Sequence, residues 1–351
     1  MQEQVTQRGQ QLEPRSSRVL TLVRFSIGVV VLAFLFYWGS IDLRVLVPLA
    51  DQPWTVAAAA ALVLLTLPLS ALRWAIVLRA LDISLPYGSV FNITCIATFI
   101  NQTLFGPASA DAVRWLYVRQ MLRRGGSRIA LSIVIDRGFG LFALLIIATV
   151  LTVAKWDRVN RVPELKLLLI SLLACMAAGL SAVVIFLAAP SLLSRVSAKL
   201  RAHPRAARFV NQAVGVLLAL GRKPAVLGAA LALSILVMGV TVLSLVVIAQ
   251  ALHVGNATGL DVSVAAPLAM LANILPFTPG GLGIGEAAFD QVCRWLAPAA
   301  EAVPYATIFF AFRVVSMVTL VPTFIAFVLH RHDATGAHSG NPLFQEQLTR
   351  L

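Results

Sequence analysis

Eight apolar segments constrain this chain more than any other feature, at about 20–39, 54–78, 87–105, 129–153, 166–189, 224–252, 262–279 and 304–329. At about 1.5 Å rise per residue, about 20 helical residues cross a hydrocarbon core, and six of the eight segments meet that length. The third and seventh are short and end in Gly/Pro breaks, at Gly106-Pro107 and at 276–285. The fold expected is all-α. It is a polytopic membrane helical bundle with eight embedded segments, two of them broken or re-entrant, arranged in an inverted repeat.

Composition agrees. Hydrophobic residues make up 59% of the chain, charged residues 12%, and the mean hydropathy is +0.87; a soluble domain carries about twice that charged fraction. Lys+Arg 28 against Asp+Glu 15 gives +13, which in this setting points to an anionic lipid surface and not to nucleic acid. Cys95, Cys175 and Cys293 lie far apart in or beside apolar segments, without metal-ligand spacing. They are expected to be packing residues. The apolar run at 20–39 lacks a cleavage-site pattern and is taken as a retained first span.

The break at 273–286 reads Asn273-Ile-Leu-Pro-Phe-Thr-Pro-Gly-Gly-Leu-Gly-Ile-Gly-Glu286. Proline removes an amide donor and glycine removes bulk, so no helix runs smoothly through it. Backbone freed at membrane depth is satisfied only by protein or by a water-filled cavity. Such breaks mark binding sites in transporters.

Loop charges set the expected topology, because basic residues favour the cytoplasmic side. Arg8, Arg15, Arg18 and Arg24 place the N-terminus inside, and the acid-free loop 190–223, with Arg195, Lys199, Arg201, Arg205, Arg208, Arg222 and Lys223, is cytoplasmic. Arg114, Arg119, Arg123, Arg124 and Arg128 follow the third segment, so it enters and leaves on the inner face. Both flanks of the seventh segment look external. The loop 155–166 disagrees: it should lie outside yet carries four basic and two acidic residues. Six crossings and two opposed hairpins, with both termini inside, fit the charges; eight full crossings are the competing arrangement. The expected layout is a cytoplasmic segment 1–19, one membrane domain 20–330 with pseudo-repeats at about 54–154 and 224–330, and a polar tail 331–351. Asn101, Phe105 and Pro107 match Asn273, Phe277 and Pro279 at one constant offset, which also aligns Arg114 with Glu286.

Charges within apolar segments are the candidate site residues. An ionised side chain at bilayer depth costs about 2.5–3.5 kcal/mol on insertion scales, so it is paired or faces a cavity. Asp136-Arg137 are such a pair: either they bridge locally, or Arg137 donates to an anionic group while Asp136 orients it or faces an opposing arginine. Arg313 has its natural partner in Glu286, as a clamp or as a gate opened by a lipid phosphate. Asp111 and Arg114 share a helical face, with Ser109 as the expected N-cap. The rest of the arginines there form a lipid-phosphate-facing surface, Arg114 among them, and Arg73 snorkels to the interface. Asn101 and Asn273 satisfy freed backbone groups or bind ligand. Pro279, Gly280, Gly281 and Gly283 supply a turn with exposed amides. No Ser/His/Asp, HExxH, Walker or Rossmann pattern occurs in a suitable context, so no catalytic site, cofactor or metal is expected; the sequence sets no oligomeric state.

Pro279-Gly-Gly-Leu-Gly-Ile-Gly-Glu286, Asp136-Arg137, and the stretch from Asn101 to Arg114 with its Pro and Asp-x-x-Arg together resemble the lysylphosphatidylglycerol synthase transmembrane-region family. The resemblance runs from about residue 20 to 330. The first break departs from the family's usual Gly-Gly-Asp, with Ser109-Ala110-Asp111 instead. The resemblance implies a flippase-like protein of the bacterial inner membrane, moving an anionic or aminoacylated phospholipid or an isoprenoid-linked lipid between leaflets. The two-domain synthases of the family append a soluble aminoacyl-transferase domain, which is not expected here because only the short tail 331–351 follows the last span. The alternative is a membrane-embedded transferase, or an accessory subunit of glycolipid or hopanoid synthesis, with Asp111 or Glu286 as general base.

Overall fold

The computed structural model describes residues 47–102, 106–122, 125–188, 219–274, 281–298 and 303–339, together with Tyr37, Arg44, 214–216 and Thr278. The expected first span at 20–39 and most of the basic loop 190–223 lie outside the described residues, as do Pro279 and Gly280.

The described chain is all-helical. In order the helices are α1 (Val47–Asp51), α2 (Pro53–Ala80), α3 (Tyr87–Gln102), α4 (Gly106–Leu122), α5 (Gly126–Ala154), α6 (Trp156–Arg161), α7 (Pro163–Ala188), α8 (Pro224–Leu252), α9 (Gly259–Ala272), α10 (Ile284–Leu296) and α11 (Ala306–Ser339). Proline opens α2, α7 and α8, where its missing N–H would have had no intrahelical acceptor. Four stretches are long and apolar enough to cross a membrane: Pro53–Ala80, Gly126–Ala154, Pro163–Ser181 and Pro224–Leu252. A further apolar stretch of α11, Ala306–Pro322, is found among the described residues.

The two interrupted segments become helix pairs. In α3, 16 residues reach about 24 Å, and in α9, 14 residues reach about 21 Å, both short of an approximately 30 Å core. Each folds back on the helix after its break, α3 on α4 and α9 on α10.

At the centre, α2 packs along α8. Lipid tails give helices no hydrophobic reason to associate, so close backbone approach through small residues matters more. Ala59 and Ala71 on α2, and Ala230, Ser234 and Ser244 on α8, are fully buried. The Ser244 hydroxyl donates to the Ala59 carbonyl at 3.1 Å. Around this axis are two apolar cores. One joins Trp74, Leu78, Ile93, Val118 and Ile133; the other joins Ala59, Leu245, Ala265, Phe289 and Phe309.

The loop whose charge ran against the topology finds a partner. Lys155 Nζ lies 2.9 Å from Asp261 Oδ1, linking the end of α5 to the start of α9. Asp261 also closes a capping box with Thr258.

Candidate functional site

The second break is built around Asn273 and Glu286. Helix α9 stops at Ala272, and the chain turns through Gly281 (φ +70°) and Gly283 (φ +81°), both in the left-handed region that side chains rarely adopt. Asn273 lies against Gly281 and Gly285 so closely that a Cβ at either would overlap its amide. Glu286 is fully buried. Its Oε2 accepts the Gly283 N–H at 2.9 Å, capping α10, and its Oε1 lies 3.0 Å from Arg313 Nε. Arg313 Nη2 also reaches the Gly281 carbonyl at 3.4 Å. One arginine on α11 therefore holds the turn through a carboxylate and a carbonyl together. The pair Glu286–Arg313 anticipated from sequence is present.

Beside this clamp is a cavity of about 180 Å³. Asn101 and Gln102 at the end of α3 line it, with Asn273 and Met270 from α9, Thr241 from α8, and Phe309, Phe312 and Arg313 from α11. The last turns before both breaks thus meet in one place. The side-chain oxygens of Asn101 and Asn273 are buried and accept no hydrogen bond, and that of Asn273 is packed against Gly281 and Gly285.

The first break is built differently. Asp136, nearly inaccessible on α5, receives two arginines. Arg73 on α2 donates from Nε at 2.7 Å and from Nη2 at 3.1 Å, and Arg114 on α4 donates from Nη1 at 3.0 Å. Arg73 Nη1 also donates to Ser234 on α8 at 3.1 Å. Arg114 lies over the Trp74 ring, 5.0 Å from its centroid. Arg137, the next residue after Asp136, bonds Asp111 at 2.9 Å in a far more exposed position.

Four expectations are corrected. Asp136 neither bridges nor orients Arg137, because consecutive helical residues point about 100° apart; of the readings left open for it, the opposing arginine is the one present. Arg73 does not snorkel: it is buried in the Asp136 cluster. Arg114 is likewise buried and is not part of a solvated surface. Ser109 does not cap α4, which begins at Gly106 with Pro107 in its first turn, a position proline favours. Asp111 and Arg114 serve different partners, Arg137 and Asp136.

Of the candidate residues, Asn101, Asn273 and Arg313 line the cavity, with Glu286, Gly281 and Gly283 immediately behind it. Asp136, Arg137, Asp111 and Arg114 are not among its lining residues. Sequence reasoning missed Arg73 and Ser234. Arg73 sits about two turns inside the end of α2, a depth from which a long side chain still reaches an interface, so its position gave no signal. Ser234, a hydroxyl in the apolar run of α8, gave a weak one. Among the described residues no group of His, Cys, Asp and Glu could hold a metal.

Residues 21–321 match the family model described as Lysylphosphatidylglycerol synthase TM region. The chain belongs to this family. Within the lysylphosphatidylglycerol synthase transmembrane-region family, this multi-spanning helical chain is a flippase-like, lipid-handling membrane protein. The matched region is the transmembrane region of the synthases. No curated protein and no solved structure matches the chain.

Proposed function

We propose that this protein moves an anionic or aminoacylated phospholipid, or an isoprenoid-linked lipid, between leaflets, with the headgroup passing through the cavity at the two breaks. The observation that carries this reading is the convergence of Asn101, Asn273 and Arg313 on that cavity. Arg313 supplies donors for a phosphate, and the Asn101 amide oxygen supplies an acceptor for hydroxyl or ammonium groups. At about 180 Å³ the space is smaller than the roughly 300–1,000 Å³ of drug-sized sites, and suits a headgroup whose tails stay in lipid. The half-exposed pair Asp111–Arg137, well inside α5, offers a second polar surface that water or a headgroup would cover.

An inverted repeat accounts for the packing. If α2, α3, α4 and α5 correspond to α8, α9, α10 and α11, the helix contacts fall into mates. The contact of α3 with α11 mirrors α9 with α5, α4 with α5 mirrors α10 with α11, and α2 with α11 mirrors α8 with α5. The contact of α2 with α8 maps onto itself. Opposed hairpins with both termini cytoplasmic, within one membrane domain 20–330, complete the proposal, and alternate exposure of the cavity would follow from rocking one repeat against the other. A transferase is disfavoured, because Asp111 and Glu286 are each already engaged by an arginine.

The test is reconstitution into liposomes with leaflet-labelled lipids of several headgroups. Faster exchange for at least one phosphate-bearing lipid is expected, and exchange no faster than in protein-free vesicles for every headgroup would overturn the proposal. For topology, single cysteines replacing Arg119 and Gln291, both exposed, should label from opposite faces; labelling of both from one face removes the inverted hairpins.

A further inference from the structure

The charges around Asp136 do not balance. Arg73 and Arg114 are both buried and share one carboxylate. The adjacent Asp111 and Arg137 neutralise each other. The charged groups acting on Arg114 are Asp136, Arg137, Asp111 and Arg73, so among the described residues this cluster holds one net positive charge. Stacking on Trp74 relieves only part of that. Arg114 also keeps a buried Nε–H with no acceptor. That edge of a guanidinium is the one that grips an oxyanion with two parallel hydrogen bonds.

The surrounding helix ends supply an approach. Arg73, Arg114, Asp136 and Ser234 each lie roughly two to three turns, about 10–15 Å, inside the ends of their helices at Ala80, Leu122, Gly126 and Pro224. These ends meet: Lys223 Nζ donates to the Ala80 carbonyl at 3.2 Å, and Trp115 Nε1 donates to the Gly126 carbonyl at 2.8 Å. Arg79, Arg119, Arg128 and Lys223 are exposed on this rim. Positive charge therefore runs from the surface down to the buried pair, an arrangement that concentrates anions.

We propose that this half of the molecule holds a phosphate oxyanion on the Nε edge of Arg114, with Arg73 as supporting charge, received from the basic rim. The site is separate from the cavity at Asn101 and Asn273. It does not rest on translocation: a protein that binds phosphate here but moves no lipid would uphold this inference and sink the preceding one. The phosphate could belong to a lipid headgroup or be free in solution.

The experiment titrates the full chain, in neutral detergent, with short-chain phosphatidylglycerol, short-chain diacylglycerol or inorganic phosphate. Melting temperature and tryptophan emission are followed. Phosphatidylglycerol or phosphate should raise the melting temperature, and Arg114→Gln should weaken that binding by about tenfold or more, as expected for loss of one charge-assisted contact. Lys155→Gln, at the far end of α5, should bind as the wild type does. Because Arg114 lies over Trp74, binding should also change the emission of the wild type but not of Trp74→Phe, a readout that does not need Arg114→Gln to fold. Response to phosphatidylglycerol alone identifies a lipid headgroup, and competition by inorganic phosphate identifies a site open to the free ion. Undiminished binding by Arg114→Gln, equal binding of diacylglycerol, or the same emission change in Trp74→Phe would overturn the proposal.

Discussion

After the first break, an arginine on the short helix, Arg114, meets an aspartate on the long helix that follows, Asp136. After the second, a glutamate, Glu286, meets an arginine, Arg313. Both contacts are 3.0 Å and both are buried, yet their polarity is reversed. They also differ in what else holds them. Asp136 is saturated by a second arginine from α2, which ties the first hairpin to the central axis. Glu286 spends its other oxygen on the backbone of the turn, and Arg313 borders the cavity. The first contact is braced by three helices and, among the described residues, carries excess positive charge, whereas the second is neutral and borders the cavity. One geometric plan thus ties a hairpin to the central helices in one half and holds a glycine turn beside a cavity in the other.

The largest effect is expected from Asp136→Asn, which leaves two buried guanidiniums facing a neutral amide. Loss of about 3–5 kcal/mol should appear in unfolding measured in detergent; a change below about 1 kcal/mol would mean that Asp136 is no anchor. Arg313→Gln should lose somewhat less, about 3 kcal/mol, because Glu286 keeps its backbone donor, while lipid exchange falls at least about tenfold. The exchange of polarity is itself testable. Glu286→Arg combined with Arg313→Glu should be more stable than Glu286→Arg alone, since the double variant copies the polarity of the first half. Recovery should be incomplete, because an arginine at 286 cannot accept the Gly283 N–H. Equal stability of single and double variants would show that the two charges do not interact.

Gly285→Ala should cost about 1–3 kcal/mol by overpacking against Asn273, and should slow exchange by displacing that amide from the cavity. The corresponding place in the first half is Val113, so Val113→Ala, which adds no atoms, should do less, and the two melting curves rank the breaks directly. The smallest effect is expected from Asp111→Asn. Its pair with Arg137 is half-exposed, so less than about 1 kcal/mol of stability should be lost. A larger loss would show that the pair is structural and would weaken its role as a polar surface for headgroups.

Much of the fold was legible because bilayer depth writes a long, nearly uncharged run into the sequence. The segment expected at 224–252 coincides with α8, and the breaks fall where Gly and Pro cluster. The pair Glu286–Arg313 could be inferred because each charge had few candidate partners nearby in sequence. Asp136 was left with several readings, an opposing arginine among them, for the opposite reason. Its sequence neighbour Arg137 offered an obvious partner, while the partners it has, Arg73 and Arg114, come from other helices. Arg73 carries the same lesson: an arginine near a helix end gives one signal whether it reaches outward to water or inward to an acid.

By itself the sequence determined that this chain is a helical membrane protein interrupted at two places, because hydropathy and the backbone chemistry of Pro and Gly are local properties. It also determined the family, through the motif at 279–286. Only the tertiary structure decided which charges meet, that the ends of α3 and α9 enclose one cavity, and that one half is left with a buried excess of positive charge. Those facts depend on helix rotation and on contacts between residues as far apart as 73 and 234, and no local pattern encodes the angle at which one helix faces another.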